Sequence, residues 1–321
     1  MSTRASSPVF TRLLDKTPLE SRQPAAHPPQ RVSWPEPRPV GGDLKYFDDL
    51  AEPQESFSKR KDRRKPKGRR SVNKLRKEGG FDDAGLQGLF ERGLITELIG
   101  ELKSGKEATV YLARGPQGLL AAKLYRDATV RSFKNDGHYR EGRFIADARV
   151  KKAIEQRSKT GVSAQQALWI MHEYAQLWAL HNAGIPVPKP LVGPGADDCA
   201  RAGRVVLMEF IGNEEGAAPR LADLRLGPDE AEAAFSQSVA LLSGLLKLGK
   251  VHGDFSAYNL LWWQGRVVVI DVPQMVETRE NPNAAELLER DVVSLCRSLK
   301  GIRADPTEVL AQVRRRAASI A

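Results

Sequence analysis

The chain has 321 residues, 41% of them apolar, with 50 basic against 40 acidic side chains and a formal charge of +10. That length accommodates one large domain or two ordinary ones, and the apolar content excludes collagen-like and wholly disordered classes. No apolar run approaches the ~20 residues of a membrane span, and no apolar signal core opens the chain, so no membrane partner is expected. Only Cys199 and Cys296 occur, which gives neither a disulfide framework nor a zinc site and points to a reducing, cytoplasmic setting.

The charge is unevenly spread. Residues 59–77 hold twelve basic side chains against one acid, Asp62, a local +11 that leaves the rest of the chain at −1. Eight prolines fall before residue 40. Residues 1–80 are therefore expected to form a disordered, Pro-rich and basic tail, since such a stretch buries too little surface to offset ordering entropy. The basic run is a candidate contact for a nucleic acid, and a merely solvating tail is the alternative.

The ordered domain is expected over 81–321. Leu86, Leu89, Phe90 and Leu94 follow helical spacing, and 95–102, 108–113 and 119–125 read as strands of a small antiparallel sheet. Residues 126–160 are charged and weakly patterned and read as a mobile insertion. A long helix over 163–183 follows, with Ser163 as its cap and Gly184 as its stop. Prolines keep 185–190 extended. A buried strand at 205–210, a helix at 228–248, short strands at 260–263 and 266–270, and helices at 284–299 and 306–320 complete the chain. Sheet first and helices later implies a two-lobed α+β unit. Its small antiparallel N-lobe spans about 86–207, a hinge 208–212, and a reduced, mostly helical C-lobe 213–321.

Three motifs carry chemistry. His252-Gly253-Asp254-Phe255-Ser256-Ala257-Tyr258-Asn259 precedes a short hairpin that ends at Asp271. Phosphoryl transfer needs a carboxylate near the accepting hydroxyl and oxygen ligands that hold Mg²⁺ against nucleotide phosphates. Asp254 suits the first role, Asn259 and Asp271 the second. The alternative makes Asp254 and Asn259 turn residues ahead of a β-hairpin. Lys123 lies inside an apolar strand, where it would neutralise phosphates if clamped by an acid such as Glu173 on the next helix; a snorkelling, unpaired lysine is the alternative. Ser104-Gly105-Lys106-Glu107 joins two strands, with glycine allowing close phosphate approach and lysine adding charge, or else forms a plain hairpin turn.

Gly100-x-x-x-x-Gly105-Lys106 superficially fits a Walker A loop, but Glu107 replaces the metal-binding hydroxyl and a strand follows where a helix is required. Met208 to Gly212 reads as the lobe connection, with Glu209 and Ile211 presenting backbone groups to an adenine. His172 and His181 read as helix-surface or packing residues, and Trp262 and Trp263 as packing residues.

Taken in order, these residues resemble the RIO family of atypical serine/threonine protein kinases, over about 86–303. Ser104-Gly105-Lys106-Glu107-Ala108 resembles the family's phosphate loop, Ala122-Lys123-Leu124-Tyr125 its nucleotide-lysine strand, Val251 to Leu261 its catalytic loop and Ile270-Asp271-Val272-Pro273-Gln274 its metal loop. Asn281-Pro282-Asn283-Ala284 with Arg290-Asp291 resembles a late signature, and Phe133 to Tyr139 is similar to the subfamily without a winged-helix domain. Pro273 and Asn281 depart from commoner family residues, and neither removes a catalytic group. Only 50 residues follow Asp271 and no Ala-Pro-Glu signature occurs, so the large peptide-docking lobe of ordinary protein kinases is not expected.

The resemblance implies an ATP- and Mg²⁺-dependent kinase or ATPase, with Mn²⁺ as an alternative ion. It would act on a protein serine or threonine, autophosphorylation included, and family members can form a phospho-aspartate at the position of Asp271. His-Gly-Asp is shared with aminoglycoside and choline phosphotransferases, so a small-molecule kinase is one alternative. A nucleotide-switched ribosome- or RNA-associated factor is the other.

Overall fold

The computed structural model describes residues 70–126, 148–156 and 158–319. The tail before residue 70, most of the basic run 59–77, and the stretch 127–147 with Phe133 to Tyr139 lie outside them.

Four antiparallel strands form the main sheet, in the order β3 (Glu97–Ser104), β4 (Ala108–Gly115), β5 (Gly118–Tyr125) and β6 (Val205–Glu209). Short links join the first three, and β6 enters from far along the chain to pair with β5, Lys123 facing Val206 in the register. β3 starts and ends two residues later than its pattern predicts. Two register shifts against β4, at Leu98/Gly100 and Glu101/Lys103, break the alternation on which that pattern depends.

Regular structure begins well before residue 86. A helical turn, α1 (Arg70–Asn73), and the hairpin β1 (Arg76–Lys77)–β2 (Gly80–Phe81) lead into α2 (Ala84–Glu91). These pieces are anchored individually: Val72 and Phe81 are buried, Phe81 meets Phe90 edge-on at 5.7 Å, and the Arg76 guanidinium donates to the Leu98 carbonyl at 2.8 Å. So few apolar anchors give no readable period, which explains why composition alone assigns residues 70–80 to the tail. Asp83 caps α2 by accepting from the Gly85 and Leu86 N–H groups, both at 3.0 Å, and pairs with Arg204 at 2.7 Å.

After α3 (Ala148–Glu155) comes α4 (Lys159–Asn182), the longest helix of the described residues. Its cap is Ser158, whose hydroxyl accepts from the Gly161 N–H at 3.1 Å, not Ser163 as expected from sequence. Gly161 misleads the reading because a glycine suggests a loop. Here it lets α3 and α4 meet, since a Cβ at that position would fall 2.0 Å from the Ala153 carbonyl oxygen. At the other end Gly184 takes φ +75°, its N–H reaching the His181 carbonyl and that of Ile185 the Leu180 carbonyl, both at 3.0 Å.

α5 (Ala196–Arg201) then leads to β6, and the small hairpin β7 (Gly212–Asn213)–β8 (Gly216–Ala217) follows. The second lobe is built on α6 (Pro228–Lys247), whose Ala234, Val239, Leu242 and Leu245 are buried, with α8 (Pro306–Ala318) packed against it. Two ladders cross the lobe: β10 (Leu260–Trp263) with β11 (Arg266–Val269), and β9 (Lys250–Val251) with β12 (Val276–Glu277). α7 (Ala284–Ser298) lies between β12 and α8 in sequence. The result is a two-lobed α+β fold with one small antiparallel sheet and a mostly helical second lobe. None of the described helices is long and apolar enough to cross a membrane, and both cysteines are free.

Candidate active site

Lys123 is the centre of the site. Strand alternation in β5 sends its side chain to the same face as Tyr125, two residues on. Its ammonium lies 2.7 Å from Glu173 Oε1 and 2.7 Å from Asp271 Oδ1. Glu173 comes from the middle of α4 and is almost wholly buried, its other oxygen accepting from the Tyr125 hydroxyl at 2.5 Å. The snorkelling alternative is thereby excluded: Lys123 is one of the best-paired cations of the described residues.

The electrostatics follow from this geometry. Burial works against the Lys123 charge, but Asp271 and Glu173 outweigh it and hold the ammonium well above its ordinary range. Burial pushes the Glu173 carboxyl up, the charge of Asp271 adds to that, and Lys123 opposes both. Asp271 has the reverse balance. Burial raises it, and the ion pair and hydrogen bond from Lys123 more than compensate and leave it below the usual carboxylate range. Asp271 also sits at φ +65°, a sparsely populated backbone region that aspartate enters more readily than most other non-glycine residues.

The loop after β9 supplies the second group. Gly253 has φ +83°, a turn that only glycine makes without strain, and it delivers Asp254 beside Asn259. The Asn259 side-chain amide donates to the Asp254 carbonyl at 2.9 Å and to Asp254 Oδ2 at 2.8 Å. Burial, together with the nearby charge of Asp271, raises the Asp254 carboxyl to about 6. His252 is fully buried and is pushed down to about 4, so its ring is neutral at physiological pH. Its Nδ1 accepts from the Asp254 N–H at 3.3 Å, which leaves the ring proton on Nε2.

The remaining sequence candidates sit at the edges of this arrangement. The Gly105 N–H closes the β3–β4 turn onto the Ala108 carbonyl at 2.9 Å. The Ser104 hydroxyl lies 3.3 Å from that of Thr109 and accepts from Arg126 at 2.9 Å, and the Glu107 carbonyl accepts from the Arg126 N–H at 2.8 Å. Lys106 is exposed at the turn. In the connection after β6, the Glu209 N–H donates to the Lys189 carbonyl at 2.8 Å, and the Ile211 carbonyl accepts from Ala218 at 2.9 Å. The bonds of Ser104, Gly105, Glu209 and Ile211 thus run to neighbouring turns and strands, not to the Lys123 cluster.

Four residues make contacts around the site that a reading of motifs alone does not assign. Tyr125 orients Glu173, and its signal was its place two residues after Lys123. Asp291, 1% exposed, accepts from the Gly253 N–H at 2.8 Å and the Phe255 N–H at 2.9 Å, fixing the backbone on both sides of Asp254. Burial lifts its carboxyl to about 7. Arg290 beside it donates to the Gly253 carbonyl. The fourth is His172, expected as a helix-surface or packing residue, whose Nε2 lies 2.9 Å from the Met275 carbonyl.

A family model described as the RIO domain matches residues 109–310. Serine/threonine-protein kinase RIO1 of Caenorhabditis elegans is 32% identical over 204 residues, which are 63% of this chain and 37% of that protein. RIO-type serine/threonine-protein kinase Rio1 of Haloferax volcanii is 33% identical over 215 residues, 66% of this chain and 67% of the relative. Its namesake in Thermoplasma acidophilum is 29% identical over 209 residues, 64% of this chain and the whole of that protein. The chain spans only between 33% and 39% of the nematode, Dictyostelium and fission-yeast relatives. With that match covering both the Lys123 strand and the Asp254–Asp271 loops, the chain belongs to the RIO domain family.

Proposed function

We propose that the chain is an ATP- and divalent-metal-dependent serine/threonine protein kinase of the RIO type, working in the cytoplasm. The observation that carries this reading is the Lys123 ammonium held at 2.7 Å from both Glu173 and Asp271. A cation fixed by a buried acid on one side and facing a half-exposed acid on the other is arranged to receive phosphate oxygens.

Lys123, oriented by Glu173, is assigned to the nucleotide phosphates. The turn Ser104, Gly105, Lys106 and Glu107 is assigned to the outer phosphates, and the backbone of Glu209 and Ile211 to the adenine. Asn259 and Asp271 are assigned to the metal. Their chemistry fits: both N–H bonds of the Asn259 amide go to Asp254, which leaves its oxygen to offer, and Asp271 adds a carboxylate whose side chain is 44% exposed. Among the described residues no cluster of three His, Cys, Asp or Glu forms a ready-made cage. Two hard oxygen ligands completed by nucleotide phosphates are what Mg²⁺ accepts, and Mn²⁺ fits the same set. When bound, the ion supplies positive charge against the phosphates.

Asp254 then serves the acceptor. The bond between the γ-phosphorus and the bridging oxygen breaks, a bond to the acceptor oxygen forms, and the hydroxyl proton passes to the Asp254 carboxylate. A carboxyl raised to about 6 is ionised at neutral pH yet basic enough to share that proton. Water in place of the hydroxyl gives ATP hydrolysis. The basic run at 59–77 supports an RNA or ribosomal-particle partner, whose phosphates it would neutralise.

The test is incubation with labelled ATP and Mg²⁺, with a protein acceptor and with a metabolite panel. Label on protein, the chain itself included, is expected and should vanish with Asp254→Ala. Label on a small alcohol alone would assign the chain to the metabolite phosphotransferases.

A further inference from the structure

Three side chains on one face of α4 reach three different parts of the site. Glu173 holds Lys123 from β5. One residue earlier, His172 Nε2 lies 2.9 Å from the carbonyl of Met275. Three residues later, the Gln176 side-chain amide approaches Glu277 Oε1 at 3.5 Å, and the same carboxylate oxygen pairs with Lys250. Positions i and i+4 stack one above the other and i+1 lies within the same half of the helix surface, so a single rigid rod contacts all three.

The two further contacts land on chain that matters. Met275 ends the loop that begins at Asp271, and the next residue opens β12. β12 pairs with β9, Glu277 facing Lys250 and Val276 facing Val251, and β9 runs straight into His252, Gly253 and Asp254. The metal loop and the catalytic loop therefore share a two-stranded base, and α4 is bonded to that base by His172 and Gln176. A carbonyl only accepts, so His172 Nε2 carries the proton in this bond.

We infer that His172 is a positioning residue for the metal site: by donating to the Met275 carbonyl it fixes the loop that presents Asp271 relative to the helix that presents Glu173. The need for such a tie is visible in Asp271 itself. Its left-handed backbone, φ +65°, is not a conformation that a short loop keeps unaided. Releasing Met275 lets the loop relax and carries the Asp271 carboxylate away from Asn259. This inference rests on the assignment of Asp271 and Asn259 to the metal.

The experiment measures Mn²⁺ binding by electron paramagnetic resonance on the full chain with a non-hydrolysable ATP analogue, alongside free-Mg²⁺ titrations of ATP turnover. His172→Phe keeps the ring and removes the donor; His172→Gln restores a donor at similar reach. The bond to the Met275 carbonyl is worth ~0.5–1.5 kcal/mol net, so the expected loss in metal affinity from losing it in His172→Phe is about five-fold. The free Mg²⁺ for half-maximal turnover should rise by the same factor, while affinity for the metal-free nucleotide stays put and His172→Gln recovers most of the loss. Wild-type metal affinity in His172→Phe, or a His172→Gln as weak as His172→Phe, overturns the positioning role alone. A wild-type chain that binds no Mn²⁺ with nucleotide overturns the kinase reading and this inference with it. Thermal midpoints of all three proteins separate either result from loss of fold.

Discussion

Replacing Lys123 with methionine keeps the apolar stem and removes the ammonium from between two carboxylates. Asp271, with its side chain 44% exposed, then turns to water and contributes little to the cost. Glu173 cannot do so: its side chain is 2% exposed and retains only the Tyr125 hydroxyl. Removing one partner from a buried pair typically costs ~3–5 kcal/mol, because the other charge is left uncompensated. Glu173 has one escape, which is to bind a proton. Burial already raises its carboxyl, and losing Lys123, the chief influence opposing that rise, raises it further. A raised acid in the folded state binds its proton more tightly than the unfolded chain does. The stability this gives is present at low pH and is lost as pH rises through the folded value. The Lys123→Met deficit should therefore be small near about pH 5 and approach ~3–5 kcal/mol near about pH 8. Urea midpoints at both pH values measure it. A second change, Glu173→Gln, removes the stranded charge while keeping an acceptor for Tyr125. The double variant should regain most of the stability at high pH and none of the ATP turnover. A Lys123→Met midpoint equal to wild type at high pH, or a double variant less stable than the single, would refute the reasoning.

Asp254→Ala should lower phosphate transfer by ~10²–10⁴-fold with the urea midpoint little changed, and the wild-type rate should climb with pH up to about 6 and then level off. Asp291→Ala orphans the Gly253 and Phe255 N–H groups at ~1–3 kcal/mol each, which calorimetry would register as a lower melting temperature. Because Asp291 is raised from 3.8 to about 7, its contribution to stability is full in acid and fades as pH rises through about 7; Asp291→Asn should flatten that part of the stability–pH curve. Removing residues 1–69 should abolish any steeply salt-dependent RNA binding, measured by fluorescence anisotropy across a salt series, and leave ATP turnover intact.

The residues proposed for the site stood out in the sequence because each broke a local rule. Lys123 is a charge inside an apolar strand, Asp271 ends a buried run, and the four residues between Asp254 and Asn259 set a spacing that few turns require. Some helix ends were legible for the same local reason: Gly184 stops α4, and α8 starts at Pro306 as expected, where the Asp305 side chain accepts from the Thr307 N–H at 2.8 Å. What escaped depends on partners distant in sequence. Nothing around Asp291 announces that its N–H donors lie 36 and 38 residues upstream, and nothing around His172 announces a carbonyl 103 residues away. The N-terminal hairpin escaped because its worth lies in Arg76 reaching Leu98 and Phe81 reaching Phe90, neither of which leaves a period. Sequence favoured Ser163 over the true cap, Ser158, because Gly161 looks like a loop residue until α3 is placed against it.

The sheet has an outer layer that the family match does not include. α2, its cap Asp83 and the hairpin before it lean on the strands through Arg204, Leu98 and the Gly85–Ala202 contact, where a Cβ on Gly85 would come within 2.5 Å of the Ala202 carbonyl oxygen. A fragment cut to residues 109–310 would lose all of β3 and the first residue of β4, turning an interior strand into a raw edge, and would end partway through α8. The stretch that matches the family model is thus smaller than the stretch over which the sheet and its outer layer are built. A fragment meant to keep this sheet and its outer layer has to begin ahead of α1, and not where the sequence likeness begins.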